Sequence, residues 1–161
     1  MEKINIIVDT LEQKDFFLFR SYADVIVSNE HLKTGDYSIR GYTDRITIDR
    51  KANSGELYNN FGKDWKRIKA ELERMRTYDA AYFVCAFPYD DLRVFPERSG
   101  IPKANWKNLV CNAGFLRKRI YEIHEQYTNV EFLFFKDKYE AEDATYKLLK
   151  EFYISESENN V

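Results

Sequence analysis

The chain has 161 residues, 44% of them hydrophobic and 16% aromatic, which is long and apolar enough for one core without disulfides or a structural metal. Its 25 basic and 27 acidic residues give a net charge of −2, which excludes a protein that binds nucleic acid through overall charge. We expect a single domain over residues 1–154 and a disordered tail over 155–161.

The sequence predicts an intracellular, cytoplasmic protein. The N-terminal MEKINIIVD has too short an apolar run for a signal peptide, and no later run approaches the length of a membrane span. Cys85 and Cys111 are far apart and form no CxxC pair, so we interpret both as reduced core thiols.

Four strands are predicted in the first third of the chain. Residues 4–9 and 24–28 are rich in β-branched side chains. Residues 37–40 and 45–50 have the same character and are joined by a four-residue turn. This second pair is therefore predicted to be an antiparallel hairpin.

Helices and strands alternate in the rest of the chain. Apolar residues three and four apart predict an amphipathic helix over 61–75 and a long helix over 106–123, capped by Asn105. Short apolar runs at 80–86 and 130–135 predict strands, and a helix over 141–152 closes the chain. The order ββββαβαβα predicts an α/β fold with a mixed sheet flanked by helices. A G-x-G-x-x-G turn and a P-loop are both absent from the sequence.

The predicted hairpin carries two acids and a lysine close together. Side chains alternate along a strand, so Asp49 and Lys51 share one face, and Asp36 begins the partner strand. Two adjacent carboxylates repel each other unless a cation lies between them. Oxygen ligands favour Mg²⁺, and a nearby lysine can offset charge that develops on a phosphate. The group therefore suggests metal-assisted hydrolysis of a phosphodiester.

A structural interpretation of the same residues also stands. Asp36 could cap a turn, and Asp49 and Lys51 could be surface residues at a strand end. The spacing D-x12-D-x-K occurs by chance in many surface hairpins, so spacing alone leaves both interpretations open.

Four segments occur in an order that resembles a known family: IIVDTLEQ (6–13), LKTGDYSI (32–39), ITIDRK (46–51) and RIKAELERMRTYDAAYFV (67–84). The nuclease domain of the XPF family of structure-specific endonucleases carries a VDxRE, a GDY and an ERK segment in this order. The resemblance covers most of residues 4–86 and suggests a short stand-alone form, as in phage or bacterial proteins.

The resemblance implies a restriction-endonuclease-like fold of the PD-(D/E)xK superfamily and a requirement for Mg²⁺, with Mn²⁺ as a substitute. It also implies cleavage of branched, flap or junction DNA in repair, recombination or replication. By position, Asp36 and Asp49 match metal ligands and Lys51 matches the catalytic lysine. Asp9 and Glu12 match the VDxRE acids and are candidate further ligands or supporting residues.

Three positions depart from the family pattern. Asp49 replaces Glu, and Leu11 replaces the Arg of VDxRE. Gly55 stands four residues after the lysine, where an acid is expected, and Glu56 follows it. These departures permit a rival hypothesis, a DNA-binding or scaffolding module that kept the fold and lost the chemistry. A second rival is a non-nucleolytic α/β protein with incidental acids.

Candidate DNA contacts lie near these acids. The start of the predicted helix 61–75 carries three basic residues that could bind backbone phosphates: Lys63, Lys66 and Arg67. The helix also carries acidic residues, so an alternative is that this face is simply exposed to solvent. Arg67 could instead pair with Glu71 four residues later.

Two residues of the hairpin are further candidates for DNA contact. Tyr37 follows Asp36 and could contact a nucleotide, and Arg50 is the middle residue of the ERK-like segment. Because Arg50 points with Ile46 and Ile48, a buried ion pair is an equally good interpretation. The isolated His31 and His124 are interpreted as structural or surface residues.

Assembly is the last expectation. XPF relatives commonly carry a helix-hairpin-helix module after the nuclease domain and act as dimers, and this sequence has no room for that module. Recognition of a junction requires contact with more than one DNA arm. We therefore expect a homodimer through the C-terminal half, where residues 106–127 carry a wide apolar stripe, or a separate DNA-binding partner.

Overall fold

A computed structural model describes residues 2–12 and 17–161. Gln13, which ends the first of the family-like segments, lies outside the described residues. The described chain contains a six-stranded sheet in the order β2-β1-β3-β4-β5-β6. Its strands are β1 Ile4–Val8, β2 Val25–Asn29, β3 Tyr37–Ile39, β4 Ile46–Lys51, β5 Ala80–Cys85 and β6 Val130–Phe134. All six predicted strands are confirmed.

The sheet is mixed, as predicted. β3 is antiparallel to both β1 and β4, whereas the β1–β2, β4–β5 and β5–β6 pairs are parallel. The carboxyl ends of β1, β4, β5 and β6 therefore lie at one edge of the sheet, together with the start of β3. Loops that follow strands at such an edge are where α/β proteins usually build their sites.

Helices cover both faces of the sheet. They are α1 Ser54–Phe61, α2 Trp65–Met75, α3 Asp90–Arg93, α4 Ala113–Gln126 and α5 Lys138–Asn159, with a 3₁₀ helix at Lys103–Asn108. One core packs Phe83 of β5 against Leu72 and Leu116, and the other packs Ile6 and Ile48 against the α5 side. The α/β class is confirmed. No helix in the described chain is long and apolar enough to cross a membrane.

The helix predicted over 61–75 is two helices. Gly62 ends α1 by donating its N–H to the Tyr58 carbonyl at 3.0 Å, and α2 begins at Trp65. α1 was not predicted because its sequence SGELYNNF is largely polar. The Asn53 side chain caps it by accepting the Glu56 N–H at 3.0 Å.

The helix predicted over 106–123 is also divided. Residues 103–108 form the 3₁₀ helix, and α4 starts only at Ala113, with Asn112 rather than Asn105 as its cap. Trp106 has helical spacing to later apolar residues, but its indole N–H donates to the Ile101 carbonyl at 2.9 Å, which fixes it in the 3₁₀ turn. Apolar residues at helical spacing can thus belong to separate elements that pack on the same core.

The C-terminal segment and one cysteine also differ from expectation. α5 continues to Asn159, so the disordered tail predicted over 155–161 is wrong for most of its length. Glu156, in that stretch, pairs with Arg45 at 2.6 Å. Both cysteines are free thiols as predicted; Cys85 is buried, but Cys111 is only half-buried and is not a core thiol.

Candidate active site

Asp36, just before β3, is held beside Asp49 of β4. Its N–H donates to the Ile48 carbonyl at 2.8 Å and its Oδ2 accepts the Arg50 N–H at 2.7 Å, so its contacts lie on both sides of Asp49. Gly35 allows this approach because it has a φ of 75°, and a Cβ there would collide with the Thr47 side chain. In this dipeptide, Gly35 allows the close approach of the chain and Asp36 supplies a carboxylate to the site.

Lys51 is bound directly to one of these acids. Its ammonium nitrogen lies 2.9 Å from Asp49 Oδ1, and both side chains are more than nine-tenths buried. Burial disfavours the charged ammonium, but the Asp49 carboxylate bound to it outweighs that effect and raises the pKa of Lys51. The lysine is therefore a fixed positive charge at neutral pH.

Asp36 is in the opposite situation. Burial, with the Asp49 and Glu12 carboxylates beside it, raises the pKa of Asp36 well above its ordinary value. A hydrogen bond from the Arg50 backbone N–H to Asp36 Oδ2, at 2.7 Å, acts in the other direction. Without a bound cation, this pair of carboxylates favours holding a proton.

Glu71, on α2, is a residue of this site that sequence reasoning missed. It is 6% exposed and hydrogen-bonds Asp49; burial and that neighbouring carboxylate raise the pKa of Glu71 to about 8. The raised pKa favours the protonated form of Glu71, which can donate a hydrogen bond to Asp49. Its position between Ile68 and Met75, at helical spacing on the buried side of α2, was the signal that could have revealed it.

This assignment predicts a change in stability with pH. The folded pKa of Glu71, about 8, lies above its ordinary value of 4.5, so its stabilising effect is complete below 4.5 and disappears as pH rises through 8. Glu71→Gln removes that ionisation. In EDTA we expect the Tm of Glu71→Gln to exceed wild type increasingly between pH 5 and 9. Glu125→Gln, at an exposed position on α4, is the control. Parallel Tm curves for Glu71→Gln and wild type would contradict the assignment.

Arg50 points to the other face of the sheet. It pairs with Glu12 at 3.4 Å, both side chains are about 6% exposed, and its guanidinium carbon lies 5.5 Å from the Phe17 ring centroid. The structure thus shows the buried ion pair that was one of the two interpretations of Arg50. Glu12 reaches the edge of the site through this pair and adds negative charge near Asp36.

The Asp9 and Tyr37 side chains bind backbone groups and do not line the cleft, although the Asp9 N–H donates to the Asp36 carbonyl at 2.8 Å. Asp9 accepts the Leu32 backbone N–H at 2.8 Å and the Leu11 N–H at 3.3 Å, so it organises the loop after β1. Tyr37 has no exposed surface, and its hydroxyl accepts the Phe17 N–H at 3.0 Å. A nucleotide therefore cannot reach Tyr37, which corrects that prediction.

The acids open into a cleft of about 710 Å³ at the carboxyl edge of the sheet. Asp36, Asp49 and Lys51 line it together with Glu56 and Asn60 of α1. Asn60 is 7% exposed, and its Oδ1 has no hydrogen-bond partner in the described part of the chain. A buried amide oxygen of α1 is thus left without a protein partner.

The structure explains why Gly55 replaces the expected acid. Its N–H donates to the Ser99 carbonyl at 3.1 Å, and a Cβ at this position would collide with that same carbonyl oxygen. No side chain fits there. Glu56, the next residue, lines the cleft instead, and burial raises its pKa while Lys51 opposes the shift.

Gly55→Ala is therefore expected to destabilise the fold. The colliding atom is backbone, which cannot rotate away, so we expect a loss of about 1–3 kcal/mol in unfolding free energy by denaturant titration. Gly114→Ala is the comparison, since its Cβ would lie 3.3 Å from Asn112 Oδ1, a side-chain atom that can move, rather than against backbone. That helical change should alter stability by less than about 1 kcal/mol. Equal stabilities for Gly55→Ala and wild type would contradict the close contact.

The predicted phosphate contacts are exposed and stand within five residues of sequence; the three, named the basic rim, are Lys63, Lys66 and Arg67. Of these, Arg67 lines the cleft. Arg67 pairs with Asp64 at 3.8 Å rather than with Glu71, whose side chain is directed inward to Asp49. The predicted Arg67–Glu71 pair is therefore wrong.

The donor set suits a hard divalent cation. Asp36 and Asp49 offer carboxylate oxygen ligands, the type that Mg²⁺ and Mn²⁺ prefer. Within residues 2–12 and 17–161, no group of three or more His, Cys, Asp or Glu side chains is arranged to enclose a metal. This is compatible with Mg²⁺, which is usually bound through one or two carboxylates and keeps several waters.

A mixed sheet with helices on both faces and acids with a lysine at one edge defines a restriction-endonuclease-like fold. "XPF from Aeropyrum pernix" is similar over 91% of this chain and 60% of its own, with a TM-score of 0.63 and 17% identity. "XPF from Aeropyrum pernix, complex with DNA" is similar over 95% of this chain and 66% of its own, with a TM-score of 0.65 and 15% identity. The chain thus spans less than two thirds of either structure, and it has an XPF-like fold. No protein-family model and no curated protein matches the sequence.

Proposed function

We propose that the protein is a Mg²⁺-dependent endodeoxyribonuclease that cleaves branched, flap or junction DNA. The observation that carries the proposal is the convergence of Asp36, Asp49 and Lys51 in one cleft on an XPF-like fold. One solved structure of similar fold is an XPF in complex with DNA. Roles in repair, recombination or replication and a cytoplasmic location follow as part of this proposal.

Asp36 and Asp49 are the residues that would hold the metal. A bound Mg²⁺ supplies Lewis-acid stabilisation of a phosphoryl oxygen and lowers the pKa of a coordinated water. Asn60 also lines the cleft, but its Oδ1 is buried and has no role toward the metal or the water in this proposal. The two acids thus orient a water toward a bound phosphate.

Lys51 acts by its charge rather than as a base. Its raised pKa keeps the ammonium protonated at neutral pH, so it does not accept a proton. From its position beside Asp49, it can donate a hydrogen bond to a phosphate oxygen and offset charge that develops there. Glu71 of α2 hydrogen-bonds Asp49 of β4 and so fixes the position of that carboxylate.

A cleavage assay tests the proposal. Flap, fork, three-way junction, plain duplex and single-stranded DNAs are incubated with the protein in Mg²⁺, Mn²⁺ or EDTA. We expect cleavage of branched DNAs with either metal, little cleavage of plain duplex, and none in EDTA. No cleavage of any DNA with either metal would overturn the proposal.

Lys63 and Lys66 of the basic rim are proposed to contact the DNA backbone. Lys63→Glu/Lys66→Glu should weaken binding of all sequences alike, by about 10-fold or more at ~100 mM salt, since phosphate contacts carry no base information. Fluorescence anisotropy over a range of salt concentrations measures this. The salt slope of log K should fall by roughly 2. An affinity that is insensitive to salt would remove this rim from the DNA contact.

One observation favours a second candidate, a DNA-binding module without nuclease activity. Leu11, which replaces a family arginine, is 76% exposed and lies at the cleft, where an arginine could have held a phosphate or an acid. This candidate predicts salt-dependent binding of branched DNA with no cleavage in Mg²⁺ or Mn²⁺. The same assay panel therefore separates the two candidates.

A homodimer through the C-terminal half, or a separate DNA-binding partner, completes the proposal. Leu116 and Ile123 of α4 are buried in the chain's own core, whereas Tyr139 and Ile154 of α5 are 72% and 43% exposed and are available to a second copy. Light scattering at a micromolar protein concentration distinguishes a homodimer from a monomer that needs a separate partner. A monomeric mass that does not change when DNA is added would favour the separate partner.

A further inference from the structure

Positive charge is concentrated between β5 and the middle of α4. Residues 98–121, the basic segment, contain six lysines and arginines and no aspartate or glutamate. The segment therefore carries +6 in a chain of net charge −2, which leaves −8 on the other residues. The six cations are Arg98, Lys103, Lys107, Arg117, Lys118 and Arg119. Solvated surfaces usually intersperse both signs, so a one-sign stretch of this length suggests a polyanionic partner.

The first part of the basic segment is held against α1, the helix that follows Lys51 and lines the cleft. At the start of α1, the Gly55 N–H donates to the Ser99 carbonyl at 3.1 Å. Further along α1, the Tyr58 hydroxyl accepts the Val110 N–H at 3.2 Å. These contacts fix the segment beside the candidate active site.

The last part of the segment is held at the α1–α2 junction. The Arg119 guanidinium carbon lies 4.0 Å from the ring centroid of Trp65, the first residue of α2, and 5.1 Å from that of Phe115. This arginine is only 21% exposed at its side chain and serves to join α4 to α2. Lys63 and Lys66 flank Trp65 in sequence, so the segment meets the basic rim here.

The remaining cations of the segment fall into two groups. Arg98 pairs with Asp91 at 3.4 Å, and Lys118 pairs with Glu122 at 3.9 Å. Lys103, Lys107 and Arg117 are exposed and make no ion pair within the described ranges. These three side chains are available to a ligand.

Their surroundings suit a phosphate backbone better than unstacked bases. Trp106 is partly buried, its indole N–H is used by Ile101, and the Lys103 ammonium lies 5.9 Å from its ring. It is thus not a platform for stacking.

We propose that Lys103, Lys107 and Arg117 bind the phosphate backbone of a second duplex arm of a branched DNA, while the cleaved strand lies in the cleft. The inference rests on the proposed nuclease function and names the part of the chain that recognises the second arm. Contact with two arms then comes from one protomer, through the close packing of the segment on α1.

Binding in EDTA tests this surface separately from cleavage. Affinity for a fork with two duplex arms and for a single duplex is measured by anisotropy over about 50–200 mM salt. The test variant is Lys107→Glu/Arg117→Glu. The control, Lys3→Glu/Lys147→Glu, makes the same charge change at the opposite sheet edge and on α5. The test variant should bind the fork at least about 10-fold more weakly than wild type, and its slope of log K against log salt concentration should be smaller by roughly 2. Both changes should be much smaller in the control variant.

The outcomes distinguish the two proposals. With Mg²⁺, the test variant should keep the wild-type kcat on the fork and show a raised KM. If wild type cleaves DNA but the test and control variants bind the fork equally, the proposed second-arm contact is refuted and the nuclease proposal stands. An acidic protein then becomes the better partner for this surface. If wild type binds the fork through these residues but cleaves nothing, the nuclease proposal fails and the surface stands. If wild type binds no DNA, both fail.

Discussion

Asp49→Asn is expected to reduce Mg²⁺-dependent DNA cleavage by at least about 100-fold, because a metal ligand supplies several kcal/mol to the transition state and each 1.36 kcal/mol is tenfold. Its effect on stability should be small. Asparagine no longer neutralises Lys51, but Glu71, which hydrogen-bonds Asp49, can then ionise and take over that role. The melting temperature in EDTA should therefore remain near the wild-type value.

Single-turnover cleavage of a fork with excess enzyme measures this loss, and thermal melting checks the fold. Asp36→Asn should lose activity similarly and melt somewhat higher than wild type, because burial disfavours the Asp36 carboxylate. Asp9→Asn is the matched control, since Asp9 binds backbone amides rather than lining the cleft. Full cleavage by Asp49→Asn, or an equal loss in Asp9→Asn, would refute the assignment of ligands.

Lys51→Met is expected to lose both activity and stability. Loss of a buried cation that faces a developing phosphate charge should reduce cleavage by roughly 10²–10³-fold. The substitution also leaves Asp49 buried without its cation, which costs about 3 kcal/mol. For a chain of this size, that corresponds to a fall in Tm of about 6–12 °C.

The double variant Asp49→Asn/Lys51→Met separates the ion pair from general packing. If the cost in Lys51→Met comes from an uncompensated carboxylate, removing that carboxylate should restore much of the lost Tm. Chemical denaturation of the wild type, both single variants and the double variant in EDTA gives the coupling energy. A wild-type Tm for Lys51→Met would show that the Lys51–Asp49 pair does not form.

Local patterns were sufficient to predict the sheet. The β-branched runs and the hairpin turn identified all six strands, because each strand has a buried face that its own residues specify. The helices were less predictable. The apolar period through Phe61, Trp65 and Ile68 crosses the break at Gly62, since residues of two helices pack on the same core. Periodicity reports which side of an element is buried, and not where the element ends.

The site shows the same division between local and long-range information. Strand alternation and the order of motifs led to Asp36, Asp49 and Lys51, which adjoin along one hairpin. Glu71 reaches Asp49 from a helix that lies in the next part of the chain, and sequence spacing gave it a helical salt-bridge partner instead. The reason for Gly55 lies even further away, in the carbonyl of Ser99. Contacts of this kind depend on tertiary packing and leave no local pattern.

Calorimetric titration with Mn²⁺ tests the central claim most directly, because it asks whether Asp36 and Asp49 form one cation site. We predict one site per chain in wild type and in Asp9→Asn, and its loss in Asp36→Asn and in Asp49→Asn. Titration at pH 6 and pH 8 should show weaker binding at the lower pH, since protonation of Asp36 and Glu71 competes with the metal. Wild-type Mn²⁺ binding that persists in both Asp36→Asn and Asp49→Asn would contradict the account.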